Sequence, residues 1–285
     1  MLYKTVHTTR YLYDTPVSQC VSEVRLTPRS LPWQTVIEAS IRTLPRAATF
    51  ERRTDYFGNV VTALAILESH ERFFTVASST VRVEPRPVVE TDATWEDVRA
   101  ALAGRPSDEA LEASEFLFDS PYVSADPELA AFARPSFPAG RPVLEAVDDL
   151  SRRIHEEFSY APQSTSVDTP LLEALKTRKG VCQDFSHVMI GALRSLNLAA
   201  RYVSGYLRSG EKYLGSEASH AWVSVWVGRG WVDVDPTNNL RPDTNHVTLA
   251  WGRDYADVTP VKGIALGGGS QTIEVDVRVE PIPEP

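Results

Sequence analysis

Cys182, His220 and Asp235 are the three residue types that together carry out nucleophilic acyl transfer. A thiol needs a base to take its proton, and the base needs a third group to fix its tautomer and orientation. The spacing of the second and third residues is informative. Both lie within residues 219–238, SHAWVSVWVGRGWVDVDPTN, where Gly228-Arg229 reads as a two-residue hairpin loop with glycine first, as a type II′ turn requires. In that register Trp226 opposes Trp231, Ser224 opposes Asp233 and Trp222 opposes Asp235. His220 shares the face of Trp222 and stands one diagonal step from Asp235, a backbone separation of about 7–8 Å that the two side chains can span. A slip of one residue would send them to opposite faces. Asp235 before Pro236 also reads as a strand-ending turn residue. Asp233 shares its face but sits farther from His220, and is the reserve orienter.

The thiol comes from residues 180–197, GVCQDFSHVMIGALRSLN. Cys182, Phe185, Met189, Ala192, Leu193 and Leu196 recur at steps of three and four, which is one face of a buried helix. Gly180 permits a sharp turn into it. Unpaired N–H groups and the dipole favour negative charge at a helix start. Taken alone, Cys182 reads as a small core residue, since free cysteine is among the most buried types. Joined to a histidine and an aspartate on one hairpin face, it reads as a nucleophile. His220 is then general base and later acid, Asp235 the orienter, and backbone N–H groups at the helix start the oxyanion donors. His187 lies about 140° round the helix from the thiol and is structural. Asp184 is a cap or structural hydrogen-bonder. His7, His70, His155 and His246 have no evident partners in the sequence. Cys182 and His220 could start a metal site, but further ligands are not offered nearby. Neither a metal nor a cofactor is expected, and no phosphate loop or dinucleotide fingerprint is present.

The elements that must position these residues fall into two parts, 1–90 and 91–285. Residues 2–85 read as four to six short antiparallel strands, a sandwich or half-barrel, with turn signals at Pro16, Pro28, Pro32 and Gly58. Glu84-Pro85-Arg86-Pro87 breaks that pattern. Short helices follow at 95–102, 108–118 and 127–133, then an amphipathic helix at 143–158 and another starting at Pro170. Strands at 199–207, 219–227 and 231–235 follow the cysteine helix. Residues 248–270 read as irregular, ending in a flexible hinge at Gly267-Gly268-Gly269, before a half-buried strand at 271–281. With 29 Lys and Arg against 38 Asp and Glu, the net charge of −9 argues against nucleic acid or an anionic membrane as partner. Two cysteines exclude a disulfide framework or a thiolate-only zinc site, and a Cys20–Cys182 bridge is unmotivated. The first residues lack a signal-peptide pattern and no apolar run is long enough to span a bilayer, so a cytoplasmic location is expected. The oligomeric state is left open.

Three ordered stretches resemble the core motifs of the transglutaminase-like superfamily: GVCQDFSH at 180–187, SHAWV at 219–223 and GWVDVDPT at 230–237. The first 85 residues resemble the N-terminal region of bacterial transglutaminase-like proteins. Ser186 stands where alanine is common. The resemblance implies an α+β chain in which a β-rich N-terminal domain precedes a papain-like core, a cysteine-bearing helix packed on an antiparallel sheet. It implies Cys182, His220 and Asp235 as the triad, and acyl transfer from a peptide or carboxamide through a thioester to water or an amine. Nothing resembles a clustered acidic calcium loop. The expected partner is a peptide or protein substrate. A non-catalytic binding or scaffold module with a vestigial core is the alternative.

Overall fold

The structure is a computed structural model that describes residues 1–283 apart from 106, 163, 211, 212 and 217. Five strands open the chain: β1 (Leu2–Val24), β2 (Gln34–Leu44), β3 (Thr49–Thr54), β4 (Val60–Ile66) and β5 (His70–Val83). They pair antiparallel in the order β2-β5-β1-β4-β3. β1 is one 23-residue strand rather than a series of short ones. It is bent where its register with β5 shifts between Leu12 and Val17, so its first half pairs with β5 and its second with β4. Along its first half the buried face is Tyr3, Thr5, His7 and Thr9. That face is mostly polar, so the length of the strand is not marked by a run of alternating apolar residues. β3 is a fully exposed edge strand, TFERRT, with no apolar face to announce it.

A helical layer follows: α1 (Trp95–Gly104), α2 (Asp108–Ser114), α3 (Pro127–Ala133) and α4 (Val143–Glu157). Thr94 and Asp97 form a reciprocal capping box that starts α1. The two-residue strand β6 (Ser159–Tyr160) leads to α5 (Leu171–Thr177), and β7 (Lys179–Gly180) pairs with β6 and runs into α6 (Cys182–Arg194). The second sheet comprises β8 (Ala200–Leu207), β9 (His220–Trp226), β10 (Trp231–Val234) and β11 (His246–Gly252), in the order β10-β9-β8-β11. α6 packs on β9 and β8, with Phe185, Val188, Met189 and Leu193 in one core with Val223 and Val225. At its far end Arg194 is buried and donates to the carbonyls of Phe116, Ala200 and Arg253, which ties α6 to three neighbouring segments. No helix among the described residues is long and apolar enough to cross a membrane.

The end of the chain departs from the two-part expectation. After α7 (Tyr255–Val258), β12 (Val261–Gly267) and β13 (Gln271–Pro281) return to the first sheet, where both pair with β1. Residues 261–281 therefore add strands to the N-terminal sheet instead of extending the core. The reason is the edge of β1, which would otherwise lack partners along its whole length on one side. Gly267, Gly268 and Gly269 are the turn between these strands rather than a hinge. All three have positive φ (97°, 90° and 62°), and Gly268 is hydrogen-bonded to Thr15 and Pro16 at the bend of β1.

The first sheet also fixes the second. β11 is an edge strand, and amide side chains occupy its free backbone groups. Gln34 donates to the Thr248 carbonyl and accepts from its N–H, both at 2.8 Å. Asn59 does the same at Trp251, at 2.8 and 2.9 Å. His7 joins the two sheets through Tyr206, 3.0 Å from Nδ1. Burial depresses the His7 imidazole to about 4, partly offset by Asp276, and burial likewise depresses His187 to about 4, partly offset by Asp254. Their stabilisation is complete above the ordinary histidine value of about 6.5 and is lost as pH falls toward 4, because only the unfolded chain takes up those protons. Urea midpoints should fall between pH 7.5 and 4.5, and a His7→Gln chain should show a smaller fall; an equal fall would assign the effect elsewhere.

Candidate active site

The first turn of α6 is shaped by an aspartate three residues in. Asp184 is buried, and its Oδ2 accepts from the Val181 N–H at 2.8 Å and from the Thr165 hydroxyl at 2.7 Å. Burial raises its carboxyl, while those hydrogen bonds pull the other way. This bears out the structural role expected for Asp184. Gly180 is required for close approach, since a Cβ there would lie 2.4 Å from Asp184 Oδ2. Cys182 is the first helical residue, and helix geometry leaves its N–H and that of Gln183 without an intrahelical acceptor. Its side chain is 8% exposed, and Sγ lies 4.0 Å from the carbonyl oxygen of Ser219, the residue before His220. The helix start and the hairpin thus meet at the thiol.

The hairpin has the register that its turn dictated. Trp231 pairs with Trp226, Asp233 with Ser224 and Val234 with Val223, and Gly228 takes φ 92° in the turn. His220 opens β9 and Asp235 follows the last residue of β10; both are fully buried. His220 Nε2 and Asp235 Oδ2 are 2.8 Å apart. Nε2 is thereby occupied, and Nδ1 is the nitrogen left to meet the thiol. Among the described residues Nδ1 is buried without a hydrogen-bond partner, and Gly215 (φ 81°) packs so close that a Cβ there would be 2.9 Å from it. Burial alone would lower the His220 pKa, but the Asp235 charge and hydrogen bond, together with the neighbouring Cys182, push it up to about 10.

Asp235 itself is over-determined. Oδ1 accepts from the backbone N–H groups of Thr237 and Asn238, at 2.9 and 3.2 Å. Oδ2 accepts from His220 and from the Asn238 amide at 2.8 Å. Burial opposes ionisation, yet His220 and, less strongly, His246 hold the carboxyl well below its usual range. Asp233, the reserve, is engaged elsewhere: it accepts from Trp222 Nε1 at 2.8 Å and pairs with the Arg86 guanidinium. His187 also has another partner, accepting from the Tyr255 N–H at 3.2 Å.

The residue that spacing did not reveal is His246. It is buried, its Nε2 is 3.6 Å from Asp235 Oδ2, and its ring packs edge-on against Trp222 at 5.2 Å. Burial keeps its pKa low despite Asp235. It reaches the site only because β11 pairs with β8 across the sheet, and the sequence has no local signal for that. His220, Asp235 and His246 offer ligand atoms within 4.8 Å of one another, a donor set of a kind that zinc takes. Two ligands of one zinc ion stand about 3.3 Å apart at tetrahedral angles. The 2.8 Å separation of His220 Nε2 and Asp235 Oδ2 is instead that of a direct hydrogen bond. A thiol, an imidazole with one free nitrogen and a carboxylate holding the other can open a carboxamide by nucleophilic attack.

Comparison with known proteins gives a consistent picture. Residues 131–236 match the family model described as the transglutaminase-like superfamily, and residues 3–82 match the bacterial transglutaminase-like N-terminal region. The uncharacterised protein ML0607 of Mycobacterium leprae is 34% identical over 280 residues, 97% of each chain. The uncharacterised protein Rv2569c of Mycobacterium tuberculosis is 34% identical over 296 residues, covering 99% of this chain and 92% of its own. Among solved structures, a candidate cysteine protease from Cytophaga hutchinsonii superposes with a TM-score of 0.75 at 23% identity, over 100% of this chain and 92% of that one. At that identity the likeness is one of fold.

Proposed function

The chain belongs to the transglutaminase-like superfamily, and on that premise we propose that it cleaves a peptide or carboxamide bond through a thioester on Cys182, with water as the acceptor. The observation that carries this reading is the His220–Asp235 hydrogen bond at Nε2, which leaves Nδ1 for the thiol. The thiolate of Cys182 attacks the carbonyl carbon, and the oxyanion that forms is met by N–H groups at the start of α6. His220 gives its proton to the departing nitrogen, the C–N bond breaks and the amine leaves. Water then adds to the thioester, loses a proton to His220, and the C–S bond breaks to release the acid and restore the thiolate beside protonated His220. An amine in place of water would give transamidation. Ammonia release against amine incorporation on one Gln-containing peptide separates the two, and dominant incorporation would replace hydrolysis as the reading. Cys20 and Cys182 are both free thiols, which suits a reducing compartment such as the cytoplasm.

The direct test is selective alkylation. Iodoacetamide near neutral pH should modify Cys182 much faster than Cys20, which is buried in β1 and whose thiol burial pushes up. Slow, equal labelling of both would sink the proposal. A pH profile adds a second check. His220 should stay protonated up to about pH 10, so kcat/KM should fall on an alkaline limb near that value. Asp235→Asn should move this limb to lower pH and reduce kcat/KM by about 10⁴-fold. The amide has one acceptor oxygen where the carboxylate uses two to receive four donors, so it fails either His220 or the Thr237 and Asn238 N–H groups.

A further inference from the structure

A cleft of about 750 Å³ lies in the bend of the first sheet, where β1 turns between Leu12 and Val17. Its floor is the inner face of that sheet, where Tyr11, Tyr13 and Ile273 form a corner; its far wall is Tyr122 and Asp168. Tyr11 stacks on Tyr13 with ring centres 6.4 Å apart. The cleft also touches residues 261–265 of β12 in succession. Side chains alternate between faces, so a wall of consecutive residues is the edge of a strand rather than one of its faces. The backbone pattern agrees. The Arg25 N–H donates to the Pro260 carbonyl at 2.9 Å, and bonded pairs alternate along an antiparallel ladder. Ser22–Gly263 and Cys20–Ala265 are therefore pairs that exchange no bonds. The N–H and C=O groups of Gly263 and Ala265 point away from β1, to the free side of β12, where no strand lies among the described residues.

The cleft leads to the thiol. Asp168 adjoins Val167, whose carbonyl accepts from Gln183 Nε2 at 3.3 Å, and Gln183 follows Cys182. Tyr122 packs at 6.3 Å against Tyr255, whose phenol is pushed up to about 12 by burial, Tyr122 and Cys182. Lys262 and Asp168 are the charged residues of the lining and cancel, so nothing in the wall calls for an ion. A row of outward amide groups calls instead for an extended chain, and two stacked phenol rings call for a flat side chain. We propose that the acyl-donor peptide lies extended along β12, adding a strand to the first sheet through Gly263 and Ala265, and seats an aromatic side chain in the corner of Tyr11, Tyr13 and Ile273. This names the substrate class of the thiol site and rests on that reading of Cys182.

Photocrosslinking to the full Cys182→Ala chain tests binding without turnover. The probe is the N-acetylated pentapeptide amide glycine, p-benzoylphenylalanine, glycine, glutamine, glycine, at about 1 mM. Its benzophenone should insert at residues 11–13, 122 or 261–273, as read by mass spectrometry. A twin N-methylated at every residue should crosslink at least about fivefold less, the scale of one lost hydrogen bond. Ala265→Pro should lower the yield of the parent probe as much, and proline suits an edge strand where its nitrogen faces away from the ladder. Should that variant fail to fold, Ile273→Glu keeps the test open: Ile273 is 50% exposed, and a carboxylate in the corner should cut the yield similarly. Insertion elsewhere, no insertion, or yields unchanged by N-methylation or in either folded variant would overturn the proposal. Turnover of peptide amides by the parent chain without insertion here would strike this inference and keep the thiol reading. Insertion here in a chain whose Cys182 fails selective alkylation would keep the peptide cleft and strike the thiol reading.

Discussion

A Cys182→Ala chain will fold and release no product from peptide amides, with the loss in kcat on the order of 10⁶-fold. Two effects must be kept apart. Removing one buried heavy atom costs about 1 kcal/mol of stability, the scale of a single deleted core methylene. The side chain is already small, and α6 keeps Phe185, Val188, Met189 and Leu193 in the core. Chemistry has no such reserve. Without Sγ, no nucleophile stands at the start of the helix, and protonated His220 has no thiolate beside it. Asp235 remains in place, so the imidazole keeps its hydrogen bond at Nε2. The check is therefore double: an urea midpoint close to the parent's, and no acyl-enzyme by mass spectrometry. Retained turnover would remove Cys182 from the mechanism.

The largest loss of stability is expected at Gly205. This residue sits in β8 directly opposite His220. A Cβ there would lie 2.3 Å from Trp222 Cη2 and 2.3 Å from the backbone oxygen of Val247. The indole is fully buried and fixed by its bond to Asp233, and the carbonyl belongs to the adjacent strand β11. Neither can retreat without parting the sheet. Gly205→Ala should cost about 3 kcal/mol, a Tm fall of roughly 6–12 °C. It should also impair turnover, because Trp222 packs beside both His220 and His246. Gly104→Ala is the matched control: a Cβ there meets nothing within 4 Å, and the position is helical. It should be neutral or slightly stabilising. Equal effects at the two glycines would discredit the close-packing argument.

The contrast between these positions shows what could be read from the chain alone. The hairpin register was legible because a glycine-first loop fixes it and period-two alternation does the rest. The cysteine helix was legible from its three-and-four spacing. Both are local signals. His246 was not legible, because only the pairing of β11 with β8 carries it to Asp235. Nor was the return of β13 to β1. Residues 3–13 meet 271–281: the alternation of Ile273, Val275, Val277 and Val279 marks 271–281 as a strand but carries no signal of which strand it joins, and most of it stays exposed. The polar interior of β1, with Thr5, His7 and Thr9 buried, hid the length of that strand. Nothing local in the sequence singles out Arg201. Its confinement between two tryptophans depends on Trp231 and Trp251 arriving from β10 and β11.

The partnership of β1 with β13 sets a schedule for biosynthesis. About 260 residues must leave the ribosome between the two strands, which at 5–20 residues per second takes roughly 13–50 seconds. During that interval the nascent chain carries a long strand with one unpaired edge. That edge is an open template for intermolecular pairing until residues 271–281 have emerged. The protein is therefore most exposed to aggregation while the segment that carries Cys182, His220 and Asp235 is still being made.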